Sequence, residues 1–370
     1  MQTTVLISGG GIAGPVLAYW LHRHGFAPTV VERAPGPRPG GQAVDIRGVA
    51  LAVMERMGLL EQARHVRTRM RGMSVLDPDG HEVDRSTEAT FSSGRLDSED
   101  IEVLREDLVR MVYEHTRPGV EYLFGDSVTA LDEDATGVRV DFAHAPSRTF
   151  DLVVGADGLH STVRRLAFGP EEHFAHHLGS YLSVFGADNF LALDDWQVWL
   201  RDGDTGFGIM PVRCNTELRI AFGFESAPLP HDLRRGDALR QLVVDKLASM
   251  RWEGARLADA ARKAPDFYCD AMAQIRMDTW SRGRVTLLGD AGYCPSPLSG
   301  QGTSLALVGA HVLADCLARA QGDHRVAYAR YERRMRPFVT LNQALATENP
   351  GGPASEESGA HAKNALSLDS

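Results

Sequence analysis

The apolar positions of this chain change period several times, and each change marks an element. Residues 3–7, Thr3-Thr4-Val5-Leu6-Ile7, form a short apolar run that predicts a buried strand. Val16, Leu17, Trp20 and Leu21 then recur at helical spacing, so 13–24 predicts a helix that Gly25 ends. Pro15 falls in its first turn, where a missing N–H costs little. Residues 28–31 predict a second strand closing on Glu32, 35–41 a Pro/Gly-rich loop, 42–46 an extended segment and 47–57 an amphipathic helix. Residues 73–76 and 81–83 flank Asp77-Pro78-Asp79-Gly80 and predict a hairpin, while polar 84–98 predicts a loop. Ile101, Leu104, Leu108, Met111 and Val112 share one face of a helix predicted over 100–116.

Strands are predicted over 120–123, 128–131, 138–142 and 150–154. The last runs into Gly155-Ala156-Asp157-Gly158, and a helix with Ser161 near its start follows. Residues 180–224 alternate strands with turns and are rich in aromatic side chains, which in a sheet are core first and ligand wall second. A helix over 237–250 and a strand over 267–277 lead to Val285, Leu287 and Leu288, a buried strand that stops at Gly289-Asp290. Pro295, Pro297 and Gly300 mark a turn, and 303–317 predicts a long apolar helix. A carboxylate at a strand end beside a Gly-flanked helix N-terminus is where open α/β sheets bind ligands, and a bare N-terminus favours negative charge. Residues 325–345 predict a charged terminal helix, and 349–370, rich in Pro, Gly, Ser and Glu, predict a disordered tail.

The first strand–helix junction carries chemistry. Gly9-Gly10-Gly11-Ile12-Ala13-Gly14 is a G-x-G-x-x-G that follows a strand, opens a helix and has Glu32 at the end of the next strand. The first glycine permits the tight turn, the second lets backbone approach a pyrophosphate, and the third lets helix and strand pack closely. Glu32 would accept ribose hydroxyls and repel a 2′-phosphate, so FAD or NAD fits better than NADP. Arg105, among apolar positions, reads by itself as an arginine snorkelling from the edge of its helix face.

A net charge of -10 with no basic stripe excludes a nucleic-acid partner. Arg235, Arg240 and Arg262 interleave with Asp237, Asp245 and Asp259 as a solvated face. No apolar run reaches the roughly 18–20 residues of a membrane span, so no membrane partner is expected. The scattered Cys214, Cys269, Cys294 and Cys316 form neither a disulfide framework nor a zinc site and fit a reducing cytoplasm. His173, His176 and His177 have no accompanying carboxylate pair and read as solvated loop histidines, so no metal is expected.

With Gly9–Gly14, Glu32, Arg105, Asp157-Gly158 and Gly289-Asp290 in this order, the sequence resembles the group A flavoprotein monooxygenases. These are the single-component aromatic hydroxylases typified by para-hydroxybenzoate hydroxylase, together with the tetracycline-inactivating and polyketide-tailoring enzymes. The resemblance spans about Met1 to Tyr331. It implies an α/β fold with a discontinuous Rossmann-like FAD-binding domain (1–72, 97–172 and 270–322), an inserted β-sheet substrate domain (73–96 and 173–269) and a C-terminal helix (323–348). It places FAD against Gly9, Gly11, Ile12, Ala13 and Gly14, with Glu32 and Arg33 toward the adenosine and Gln42 and Arg105 along the cofactor. Asp157 and Gly158 would lie near the pyrophosphate and serve NAD(P)H use, and Asp290 would bind the ribityl chain. Pro297, Gly300, Gln301, Gly302 and Thr303 would border the isoalloxazine, and no catalytic side chain is assigned. A substrate pocket is expected from Arg47, Trp199, Met210, Phe222 and Pro295.

The implied reaction uses NADPH or NADH as a transient reductant and O2, and hydroxylates an aromatic or polyketide-like small molecule through a C4a-hydroperoxyflavin. The chain departs from many members at Gly292-Tyr293, where they have Ala-His, and at Ser304, where they have Asn. A flavin halogenase, an FAD-dependent dehydrogenase or reductase, and a non-catalytic flavin-binding protein are the alternatives. The halogenase motif Trp-x-Trp-x-Ile-Pro is absent. Oligomeric state is not readable from the chain.

Overall fold

The computed structural model describes residues 2–230, 233, 236–321, 323–349 and 352–369. Arg235, one of the charges read as a solvated face, lies outside the described residues.

One layer is built on a six-stranded sheet, in the order Ser281–Arg282, Val285–Leu287, Leu152–Gly155, Thr4–Ser8, Ala27–Glu32 and Glu121–Phe124. All pairs are parallel except the short edge pair. Val5, Leu6 and Ile7 are fully buried, as expected of a central parallel strand covered on both faces. The helices Ala13–Arg23 and Gly302–Arg319 pack against each other over this sheet. Gly302–Arg319 is buried along nearly its whole length because it runs through the core.

The second layer is a seven-stranded sheet, in the order Tyr268–Ile275, Ala175–Asp188, Glu217–Glu225, Thr205–Val212, Trp196–Asp202, Gly72–Leu76 and Glu82–Ser86. Its strands alternate faces with period two. Phe185, Phe207, Ile209, Ile220, Phe222 and Phe224 pack on the helices Gly236–Ser249 and Gly254–Lys263. Met210 and Val212 turn the other way and meet Leu104 of the first layer. The antiparallel pair Ala43–Ile46 and Ile101–Leu104 stands between the layers.

Five expectations need correction. The helix predicted over 100–116 is a strand, Ile101–Leu104, followed by the helix Arg105–Thr116. The residues alternate: Ile101 and Val103 enter the first core while Leu104 faces Met210. Polar 84–98 holds the end of the strand Glu82–Ser86 and the pair Ala89–Thr90 and Gly94–Arg95. His176 and His177 lie in the strand Ala175–Asp188, not in a loop. The tail holds a helix, Glu356–Lys363, capped by Ser355 and anchored by buried Ala362, Leu366 and Leu368. Lys363 Nζ reaches Asp100 Oδ2 at 2.7 Å, and Asn342 Nδ2 donates to Ala362 O. The boundary expected at 270 also falls inside the strand Tyr268–Ile275, which belongs to the large sheet. Among the described residues, no helix is long and apolar enough to cross a membrane.

Candidate active site

The glycines of the first junction are held by sterics. Gly9 has φ +114° and donates its N–H to Val31 O at 2.8 Å. A Cβ there would fall 2.3 Å from Ala156 O, and one on Gly14 would fall 2.0 Å from Gly9 O. Gly11 faces open space, with nothing within 4 Å of its Cβ position. The helix Ala13–Arg23 starts with no capping side chain and no acid in its first turn. Glu32 closes the adjacent strand, and its two oxygens accept from Gly10 N at 2.7 Å and Ala34 N at 2.9 Å.

Three further stretches converge here. The Cβ position of Gly9 is 2.9 Å from Asp157 Cα, so the turn after the strand Leu152–Gly155 abuts the glycine loop. Asp157 itself caps the next helix: it accepts from Ser161 Oγ, Thr162 N and Val163 N. The Cβ position of Gly289 is 3.4 Å from Ala13 Cβ and 3.8 Å from Ala306 Cβ, which wedges the Gly289-Asp290 turn between the two long helices. Burial raises the Asp290 carboxyl above its ordinary value. Asp290 Oδ1 is 3.9 Å from the Cβ position of Gly302, the first residue of the helix Gly302–Arg319. That helix has no capping side chain and no acid in its first turn, and buried Gln301 Oε1 has no partner among the described residues.

The loop carrying Gly40 and Gly41 is held from below by Arg105. Its Nη2 donates to Arg38 O at 3.3 Å and Gly40 O at 3.2 Å, and burial lowers its pKa to about 10. Gly41, at φ +99°, leaves room for this guanidinium: a Cβ would lie 2.5 Å from Nε. The arginine therefore points inward instead of snorkelling. Gln42 accepts Arg105 N through its carbonyl, and Arg33 is exposed.

A family profile described as an FAD binding domain matches residues 2–344. A flavin-dependent monooxygenase of Legionella longbeachae is 37% identical over 339 residues, which is 92% of this chain and 86% of the relative. The chain belongs to the FAD-dependent monooxygenases. An uncharacterised protein of Mycobacterium tuberculosis is 52% identical over 350 residues, 94% of each chain. Among solved structures, tetracycline destructase Tet(55) superposes with a TM-score of 0.88 at 33% identity, covering 99% of this chain and 98% of its own. Tet(51) gives 0.86 at 32% identity, covering 98% and 95%.

In this monooxygenase the open side of Gly11 and the uncapped helix ends leave donors and space for a large anionic ligand such as FAD, and Gln301 Oε1, without a partner among the described residues, leaves an acceptor for one of its N–H or O–H groups. Arg47 adjoins the same place: its Nη1 is 3.6 Å from the Cβ position of Gly300, and its backbone N–H donates to Ser304 Oγ. Trp199 lies over Gly208 on the face turned toward the first layer, and its Nε1 donates to Gln197 Oε1 at 2.9 Å. Met210 shares that face, and Pro295 is buried with Cγ 4.0 Å from the Cβ position of Gly302. Phe222 does not share that face. It is fully buried on the opposite face, among the helices of the second layer, because its strand parity matches Ile220 and Phe224.

Sequence reasoning missed Asp45, Ser92, Gln197 and Arg164. Gln197 Nε2 donates to Ser92 Oγ at 2.7 Å, and Arg47 Nη2 to Asp45 Oδ2 and Ser92 O. Arg164 is fully buried and ties together the two acid-bearing turns, donating to Leu159 O and Ala291 O. The Asp45-Ile46-Arg47 triplet, charged residues within an extended apolar segment, was the available signal for the first of these.

Proposed function

We propose that this protein holds FAD across Gly9–Gly14, Asp290 and Gly302, and hydroxylates an aromatic or polyketide-like small molecule with electrons from NADPH or NADH. The observation that carries this reading is the packing of the Asp157 turn on Gly9 and of the Gly289-Asp290 turn between two long helices, with Asp290 Oδ1 3.9 Å from the Cβ position of Gly302 and no capping side chain at either helix start. Bound FAD supplies hydride acceptance from NAD(P)H and oxygen transfer from O2.

The chain's own residues bind, orient and exclude water. Gly11 admits the diphosphate to the amides of the first helix, Ile12 and Ala13 lie between, and Glu32 accepts the ribose hydroxyls. Asp290 accepts a hydroxyl of the ribityl chain. Gly302 and Thr303 present N–H groups where a reduced flavin carries its negative charge, with Pro297, Gly300 and Gln301 forming the approach. Asp157 braces the glycine turn at Gly9 through its backbone, while its carboxylate is bound to its own helix. Arg47, Trp199, Met210 and Pro295 wall the substrate side. Tet(51) and Tet(55), whose names describe tetracycline destruction, support a polycyclic substrate class. The free cysteines support a cytoplasmic setting.

The purified protein should be yellow. Asp290→Ala should remove a charge-assisted hydrogen bond of about 1.5–3 kcal/mol and weaken FAD by roughly ten- to a hundredfold in a titration. NAD(P)H oxidation should accelerate with a phenolic substrate, and the product should gain one oxygen atom from labelled O2. Label arriving from water, or no O2 uptake, would replace this reading with the dehydrogenase.

A third test addresses the helix end. Such an end acts as roughly half a positive charge, worth about 0.3–2 kcal/mol to a nearby anion. Gly302 has room for a side chain, with the nearest neighbours at 3.9 and 4.0 Å. In their FAD-loaded fractions, Gly302→Asp should show a lower flavin potential and slower reduction than Gly302→Ala. Equal potentials in the two variants would remove the electrostatic role.

A further inference from the structure

Between the layers, the strands Ala43–Ile46 and Ile101–Leu104 set Asp45 opposite Glu102. Ile101 and Val103 enter the first core, so both carboxylates turn toward the large sheet. Glu102 is 5% exposed, and Thr68 Oγ1 donates to its Oε1 at 2.6 Å. The Asp45 side chain is nine-tenths buried. Its Oδ2 accepts from Arg47 Nη2 at 2.8 Å, but its Oδ1 has no partner among the described residues. Arg47 Nε is likewise buried without a partner among the described residues, on the arginine that borders Gly300.

The charges that face Asp45 do not balance. Among the described residues the attractive cation facing Asp45 is Arg47, from its own turn, and Glu102 and Asp100 oppose it from the neighbouring strand segment. Asp100 is already paired with Lys363 of the terminal helix. The large sheet contributes neutral Gln197, Ser92 of the adjoining hairpin is neutral, and residues 297–300 carry no charge. Two enclosed carboxylates with one free guanidinium are relieved when one of them holds a proton. Burial, then the two neighbouring acids, push Asp45 up to about 7. Glu102 is also raised by burial, but its Oε1 already accepts from Thr68 Oγ1, whereas Asp45 Oδ1 has no donor among the described residues.

We propose that Asp45 accepts the proton of an acidic hydroxyl on the substrate, a phenol or an enol, and that Arg47 holds the oxyanion so formed. The inference rests on the reading that the space beside Arg47 and Gly300 takes the substrate. The ligand O–H bond breaks, its electron pair stays on the ligand oxygen beside Arg47, and the proton becomes the O–H of a neutral Asp45 carboxyl. Neutral Asp45 releases its hold on Arg47, so the guanidinium charge passes to the oxyanion. The ring or enol that bears it becomes more electron-rich, which suits transfer of an electrophilic oxygen. Asp45 and Arg47 thereby select substrates with an ionisable hydroxyl.

The bound state is an oxyanion with protonated Asp45, so above neutral pH binding a preformed anion must take up a proton. Para-nitrophenolate is the probe, bound to FAD-loaded protein and followed by calorimetry in two buffers of different ionisation enthalpy. Wild type should take up about one proton per phenolate at about pH 8, and its affinity should fall roughly tenfold between about pH 8 and pH 9. Asp45→Asn should take up none and bind equally at both pH values. Asp45→Glu should restore the uptake, and Arg47→Met should weaken the probe at least about tenfold at either pH. Wild-type binding without proton uptake, uptake that survives in Asp45→Asn, or no binding at all would overturn the proposal, and the wild-type arm decides even if Asp45→Asn does not fold. A protein that loads FAD and oxygenates its substrate but fails this test refutes the role of Asp45 alone. One that loads no FAD refutes the functional reading instead.

Discussion

Arg164→Met is expected to destabilise the protein by about 2–5 kcal/mol and to weaken FAD with it. Arg164 is fully buried. Its Nη1 donates to Ala291 O at 2.9 Å, and its Nη2 to Leu159 O at 2.6 Å and Glu171 Oε2 at 2.8 Å. Methionine fills much of the same volume without a donor. The buried carbonyl of Ala291 and the partly buried one of Leu159 would then lose this partner, at about 1–3 kcal/mol each. Glu171 contributes less: it is one-third exposed and keeps His160 as a second partner at 2.9 Å. The coupling to FAD is geometric. Ala291 directly follows Asp290, and Leu159 follows Asp157-Gly158, so one guanidinium sets the distance between the two turns. Denaturant melts of the FAD-free protein, followed by FAD titration, measure both effects. Glu171→Gln should cost far less than Arg164→Met. Equal costs would show that the ion pair, not the carbonyls, is what Arg164 serves.

The elements that frame the candidate cofactor site were legible because each is local. A strand, a glycine turn and a helix start are contiguous at Gly9–Gly14, and a strand and an acid are contiguous at Gly289-Asp290. The substrate half depends on facts that no local window holds. Trp199 and Phe222 are both aromatic residues in strands of one sheet, yet they point to opposite faces, and parity relative to the covering helices exists only after the sheet is assembled. Asp45 meets Glu102 through the register of two strands distant in sequence. Arg105 looked like an edge residue of a long helix. It is the first residue of a shorter one, and the room for its guanidinium comes from Gly41. The tail failed for a different reason. Its average composition is that of a disordered segment, but Ser355 before Glu356-Glu357 and the basic residues His361 and Lys363 in the last turn are proper helix-end signals. Ala362, Leu366 and Leu368 suffice to anchor it.

Gly14→Ala and Gly11→Ala should separate two roles that one glycine motif combines. At Gly14 a Cβ would lie 2.0 Å from Gly9 O and 3.2 Å from both Gly9 C and Ile7 Cγ2. Those are mostly backbone atoms, and Gly9 cannot retreat. Its N–H is bonded to Val31 O, and its own Cβ position is 2.3 Å from Ala156 O. The helix must lift from the strand, at an overpacking cost of about 1–3 kcal/mol in the FAD-free protein. At Gly11 nothing lies within 4 Å, and its φ is outside the left-handed range. An alanine there should leave FAD-free stability within about 0.5 kcal/mol of wild type. Its methyl would instead occupy the approach of the diphosphate, so FAD should bind at least about tenfold more weakly, or about 1.4 kcal/mol. Melting of both FAD-free variants, with FAD titrations on each, reads the two effects apart. Gly11→Ala binding FAD like wild type would show that the diphosphate does not approach this open side of the turn. A Gly14→Ala variant as stable as wild type would show that the helix can shift without cost, and that the third glycine is not there for packing.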